Sequence, residues 1–139
     1  MRYYADQWRC RLLLGVALVL FNIYAQAQSF TASADAQKVI EKSAFTVTYT
    51  LDKAKGSGFQ PPDFSPFEIV GGPSQSTSMS IINGAVSETS SYEYSLYGEK
   101  RGTYQIPPAS IYVDGRIMKS NALTIEVEKG KAVNPISEV

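Results

Sequence analysis

Histidine is absent from this chain, and cysteine occurs once, at Cys10. The lack of imidazole removes Ser-His-Asp and Cys-His catalysis, and the scarcity of sulfur removes zinc sites built on thiolates. Basic and acidic side chains balance, 13 against 13, so no positive excess points to nucleic acid and no run of like charge forms an interaction tail. Helix-forming runs rich in Ala, Leu, Glu and Lys are missing after the first segment. No Asp-rich calcium loop appears. "KGSG" and "GGPS" lack the Lys and Ser/Thr spacing of a phosphate loop and precede no helix. "NGA" and "NAL" are not glycosylation sequons.

The one long apolar run lies at the start. "MRYYADQWRCR" carries Arg2, Arg9 and Arg11 against Asp6, and "LLLGVALVLFNIYA" follows. That run suits a signal-peptide core and is short for a spanning helix, which needs about 20 apolar residues. Ala25 and Ala27 have the spacing a signal peptidase accepts, so residues 1–27 are expected to be a signal peptide cleaved after Ala27. The chain is then exported to the periplasm or cell envelope. Cleavage removes Cys10 and Trp8, so the mature part has no thiol, no disulfide and no lipid anchor, and is faintly acidic. Its stability must come from a hydrophobic core.

What is present is alternation. In "FTVTYTL", Phe45, Val47, Tyr49 and Leu51 point one way and three threonines the other, the period of a half-buried strand. "SFTASA" alternates in the same way, and "ALTIEVEKG" turns Leu123, Ile125 and Val127 inward. "QKVIEKS" reads as a break and "DKAKGSGFQPPDFSP" as a long connection. "FEIV" reads as a short strand closed by Gly71, Gly72 and Pro73.

The segment "GGPSQSTSMSIINGAVSETSSYEYSLYGEK" has the composition of a linker. However, Asn83-Gly84 at its centre is the strongest short-range hairpin signal. Pairing the arms about that turn puts Ile81 opposite Val86, Met79 opposite Glu88, Thr77 opposite Ser90 and Gln75 opposite Tyr92. The other face carries Ser76, Ser78, Ser80, Ser87, Thr89 and Ser91, and is the candidate partner-docking face. Asp114-Gly115 is a second hairpin turn of the same kind. Seven to nine short strands without helices predict an all-β fold, an immunoglobulin-like antiparallel β-sandwich over residues 28–130. Residues 131–139 read as a linker or truncated end.

Chemistry is sparse. Asp63 with Glu68, and Glu126 with Glu128, are the carboxylate pairs a glycosidase or a cation would need, and solvated surface charge is the plainer account of them. Tyr92, Tyr94, Tyr97, Tyr104 and Tyr112 could stack sugars, the basis of an alternative reading as a glycan-binding module. Phe59, Phe64 and Phe67 are expected to plug the sandwich ends. The chain is read as a non-enzyme with no cofactor and no metal.

From Ser29 to Gly130 the chain also resembles a known family. "F-x-P-P-x-F" from Phe59 to Phe64, "GPSQSTSMSIINGAVS" from Gly72 to Ser87 and "G-T-Y-x-I-P-P-A-S-I" from Gly102 to Ile111 resemble the N-terminal Ig-like domain of BatD, the aerotolerance-operon protein of Bacteroidetes. The resemblance implies an envelope protein with tandem Ig-like domains and a C-terminal membrane helix, a segment this chain does not include. It also implies neighbours with von Willebrand factor A domains or tetratricopeptide repeats, a MoxR-type ATPase, and a scaffolding role in oxygen or stress tolerance. No catalytic residue is implied.

Overall fold

The computed structural model describes residues 27–130. The expected signal peptide and the expected terminal linker fall almost wholly outside them. Ten strands follow in chain order: β1 (Ser29–Ala34), β2 (Lys38–Ile40), β3 (Ser43–Asp52), β4 (Ser57–Gln60), β5 (Glu68–Ile82), β6 (Ala85–Gly98), β7 (Gly102–Ile106), β8 (Ser110–Val113), β9 (Arg116–Lys119) and β10 (Leu123–Glu128). They form a four-stranded sheet in the order β1-β3-β6-β5 and two three-stranded sheets, β2-β10-β7 and β4-β8-β9. The protein is an all-β, immunoglobulin-like sandwich. One pairing departs from the antiparallel expectation: β2 runs parallel to β10, with Val39 beside Val127.

Alternation builds the core. Phe45, Val47, Tyr49 and Leu51 of β3 are buried. Tyr92, Tyr94 and Leu96 of β6 lie beside them, because Tyr49 pairs with Tyr92 and Val47 with Tyr94. Ile106, Ile111, Val113, Ile125 and Val127 close the same core from the two smaller sheets. Phe64 and Phe67 are buried at its margin. Phe59 lies flat on Tyr92, ring centroids 4.1 Å apart and 5° from parallel. Asn121 stitches β1 in place: its Oδ1 accepts from the Ala32 amide at 2.8 Å, and its Nδ2 donates to the Ala32 carbonyl at 3.0 Å.

Three local readings are corrected. "QKVIEKS" contains β2, whose partner β10 is more than 80 residues away, beyond the reach of local pattern. The long connection contains β4, which pairs with β8 through an irregular register. The third concerns β5, which does not stop at Gly71-Gly72-Pro73. It passes through them by register shifts between Ile69 and Ser74 and continues to Ile82. Gly72 makes this possible: its φ is +92°, and a Cβ there would collide with the Glu93 carbonyl oxygen.

Candidate docking hairpin

β5 and β6 form one long hairpin, and its register follows the alternation. Ile82 pairs with Ala85, Ile81 with Val86, Met79 with Glu88, Ser78 with Thr89, Thr77 with Ser90 and Gln75 with Tyr92. Asn83 and Gly84 have φ of +51° and +77°, which a type I′ turn requires at both central positions. Asp114 and Gly115 repeat this between β8 and β9, with φ of +50° and +74°.

The hairpin outgrows the sheet that carries it. The ladder between β3 and β6 ends at Asp52 and Thr89. Four residues of β6, Ala85–Glu88, therefore pair with β5 alone. At roughly 3.4 Å per residue that is an overhang of about 13 Å. The root of this ribbon is pinned: Thr89 Oγ1 donates to Asp52 Oδ1 at 2.7 Å, and the Ala54 amide donates to the Glu88 carbonyl at 3.3 Å.

The six expected docking residues do share one face. Ser76, Ser78 and Ser80 on β5 are exposed, and Ser87, Thr89 and Ser91 on β6 are half-buried. Their hydroxyls are not equally free. Ser76 and Ser91 bond each other, Oγ to Oγ at 2.7 Å, and Thr89 is engaged with Asp52.

The opposite face is covered at one end only. It leads into Tyr92 and Tyr94 at its root, but toward the tip nothing in the described residues covers it. Met79 is 70% exposed, Ile81 71% and Val86 64%, while Ile82 on the serine face is 67% exposed. Sequence reasoning misses these apolar residues because alternation shows which side chains share a face and not whether anything lies over it. Strand lengths hold the clue, since arms of 15 and 14 residues cannot be matched by a ten-residue neighbour.

β5 is also the outer strand of its sheet. From Ile69 to Ser87 the chain carries no charged residue, and between Pro73 and the turn it carries no further proline. Edge strands are ordinarily blunted by lysine, proline or a bulge, since their unpaired N–H and C=O groups invite another strand. Here the bulges lie before Ser74, and Ser74–Ile82 is regular and uncharged.

The other candidate sites dissolve into surface and core. Lys38 lies between Glu126 at 3.8 Å and Glu128 at 3.5 Å, so these carboxylates form exposed ion pairs. Asp63 accepts from the Ser65 amide at 2.9 Å, which holds its carboxyl below the ordinary range. No group of three His, Cys, Asp or Glu that could hold a metal ion occurs among the described residues. Of the five weighed tyrosines, Tyr92 and Tyr94 are buried, Tyr97 and Tyr104 half-buried, and only Tyr112 is exposed. That leaves one ring where a stacking platform needs several.

A family model described as the BatD DUF11-like domain matches residues 32–127. The chain belongs to the BatD family. The match spans β1 to β10 and contains the whole overhanging hairpin, so the ribbon is part of the BatD domain itself. No curated protein matches the chain.

Proposed function

We propose that this domain is a non-catalytic docking module of the cell envelope that holds protein partners through the β5–β6 ribbon. One observation carries the reading: a BatD domain devotes its longest strands to a ribbon that projects beyond its own core, with four large apolar side chains exposed near the tip. Fully burying one such side chain is worth about 1.5–3 kcal/mol. Three of them, Met79, Ile81 and Val86, cluster on one face, and an apolar cluster on a projecting element marks an interaction site more often than chance exposure. The hydroxyl face on the other side of the ribbon, made of small side chains, permits close approach of another surface. The partners we propose are the membrane proteins with von Willebrand factor A domains or tetratricopeptide repeats that accompany the family, and the role is that of a scaffold in a tolerance complex.

The test is capture from solubilised envelope of the source cell, with a photo-crosslinker in place of Ser87 on the ribbon and a second one at Glu99, far from it. Enrichment of either class of membrane protein from Ser87 and not from Glu99 is expected. Equal capture from both positions, or none, would remove the ribbon from the account.

A further inference from the structure

The ribbon has two kinds of surface: faces made of side chains and an edge made of backbone. Resting on the reading of the ribbon as a docking element, we infer that the free edge of β5 is occupied by a second copy of this chain. The two copies pair Ser74–Ile82 antiparallel about a two-fold axis at Ser78.

The edge is open along this stretch. β5 is the outer strand, and every residue from Gly72 to Ile82 is exposed. In a two-residue hairpin the pair that closes the turn, here Ile82 and Ala85, exchanges both hydrogen bonds, and hydrogen-bonded and non-bonded pairs then alternate. The N–H and C=O groups of Gln75, Thr77, Met79 and Ile81 therefore point outward. They form a row complementary to an antiparallel copy of itself.

Two-fold symmetry sets a condition on the sequence. Each residue near the axis faces its own neighbourhood, so any charge there is placed close to the same charge on the other copy, and like charges across strands are unfavourable. Ser74–Ile82 meets that condition, having none. The nearest charges, Glu88 and Glu93, are on β6, one strand in from the edge.

The regular stretch also has its midpoint at Ser78, and the bulges end where it begins. Pairing about Ser78 sets Ser76 against Ser80, Thr77 against Met79 and Gln75 against Ile81 of the second copy. Small hydroxyls meet on one face, and Met79 from each copy approaches the axis on the other. The two serine faces then join into one continuous surface.

The same edge argues against a lipid occupant. The apolar tip alone would suit a bilayer surface. Backbone groups left unpaired in hydrocarbon, however, are costly, and this edge would carry a row of them into it. A second strand satisfies those groups, and lipid does not.

The experiment uses the full chain with Cys10→Ser, so that one introduced cysteine reports position. Ser78 facing its own copy is a non-hydrogen-bonded pair, where Cβ atoms come about 4.5–5.5 Å apart and a disulfide can close. Under mild oxidation Ser78→Cys is expected to give a disulfide-linked dimer at least tenfold faster than Ser80→Cys, whose counterpart across the strand is Ser76. Adding Met79→Lys to Ser78→Cys places like charges beside the axis and should slow dimer formation at least tenfold, with the thermal midpoint unchanged at protein concentrations low enough to keep the chain monomeric, where Met79 is exposed. All three variants share the N-terminal segment, so association through it would not separate them.

Equal rates at positions 78 and 80, or indifference to Met79→Lys, overturn the self-pairing. So does a dye attached to the Ser78→Cys variant that responds to phosphatidylcholine vesicles while the chain stays monomeric. If self-pairing fails while Ser87 still captures an envelope protein, the docking reading stands without it. If both fail, the ribbon is not a docking element.

Discussion

Tyr49 is the most enclosed polar side chain in the core. Its ring lies among Phe30, Phe59, Phe64 and Tyr94, and its hydroxyl, fully out of solvent, has no hydrogen-bond partner among the described residues. Burial pushes its pKa well above the ordinary value of 10, and the neighbouring Tyr94 adds to the effect. The unfolded chain would ionise Tyr49 near its ordinary value, whereas the folded chain holds it neutral to higher pH. The stability this contributes is therefore complete below about pH 10 and is lost as the pH rises through the folded value. Tyr49→Phe removes an unsatisfied group, so it should be neutral to stabilising at pH 7. Between about pH 9 and about pH 11 it should lose less stability than the parent chain. Urea unfolding at several pH values checks this, and parallel pH profiles would contradict it.

A second contrast at this scale separates core from ribbon. Leu96 is fully buried, and Leu96→Ala should cost about 2–5 kcal/mol. Met79→Ala, at an exposed position, should stay within about 0.5 kcal/mol of the parent. Denaturant midpoints at equal m-value decide the comparison. A large loss at Met79 would mean that the distal face is covered.

Among the elements, the hairpin is stabilised by its turn at one end and by the sheet at the other. Gly84 has positive φ and no atoms near where a Cβ would sit. Gly84→Val therefore costs conformation without a clash, about 1 kcal/mol or more. Because Ala85–Glu88 pair only with β5, the loss should stay local. Amide exchange at Ala85 and Ser87, whose N–H groups bond across to β5, should accelerate several-fold while exchange at Tyr94 and Leu96 barely changes. Uniform acceleration would show that the overhang folds as one unit with the sandwich.

What is legible in the sequence follows from locality. β3 and the hairpin register can be read because period two and an Asn-Gly turn are written within the segments themselves. β2 and β4 cannot, being strands of three and four residues whose partners, β10 and β8, are far along the chain. Pattern cuts β5 short because glycine and proline ordinarily end strands, and here they mark a bulge within one. The serine face is visible as a pattern. The exposed apolar tip is not, because exposure depends on where neighbouring strands stop.

At the scale of the whole molecule, β3 and β6 run along the sandwich and fix its two ends. At one end, Ser29 pairs with Asp52, which pairs with Thr89 at the root of the ribbon. At the other, the Glu128 carbonyl accepts from the Glu41 amide, and the Lys42 amide donates to the Gly98 carbonyl. The chain thus enters β1 beside the ribbon and leaves β10 at the far end. A tension applied between those two points acts along the strands. It shears the β1–β3 ladder and the parallel β2–β10 ladder lengthwise, loading many hydrogen bonds together instead of opening them one at a time. Forced unfolding is governed by the unfolding rate and not by equilibrium stability alone. A domain threaded in this way can bear load along a chain while its ribbon, which lies outside the line of force, stays free to hold on to something else.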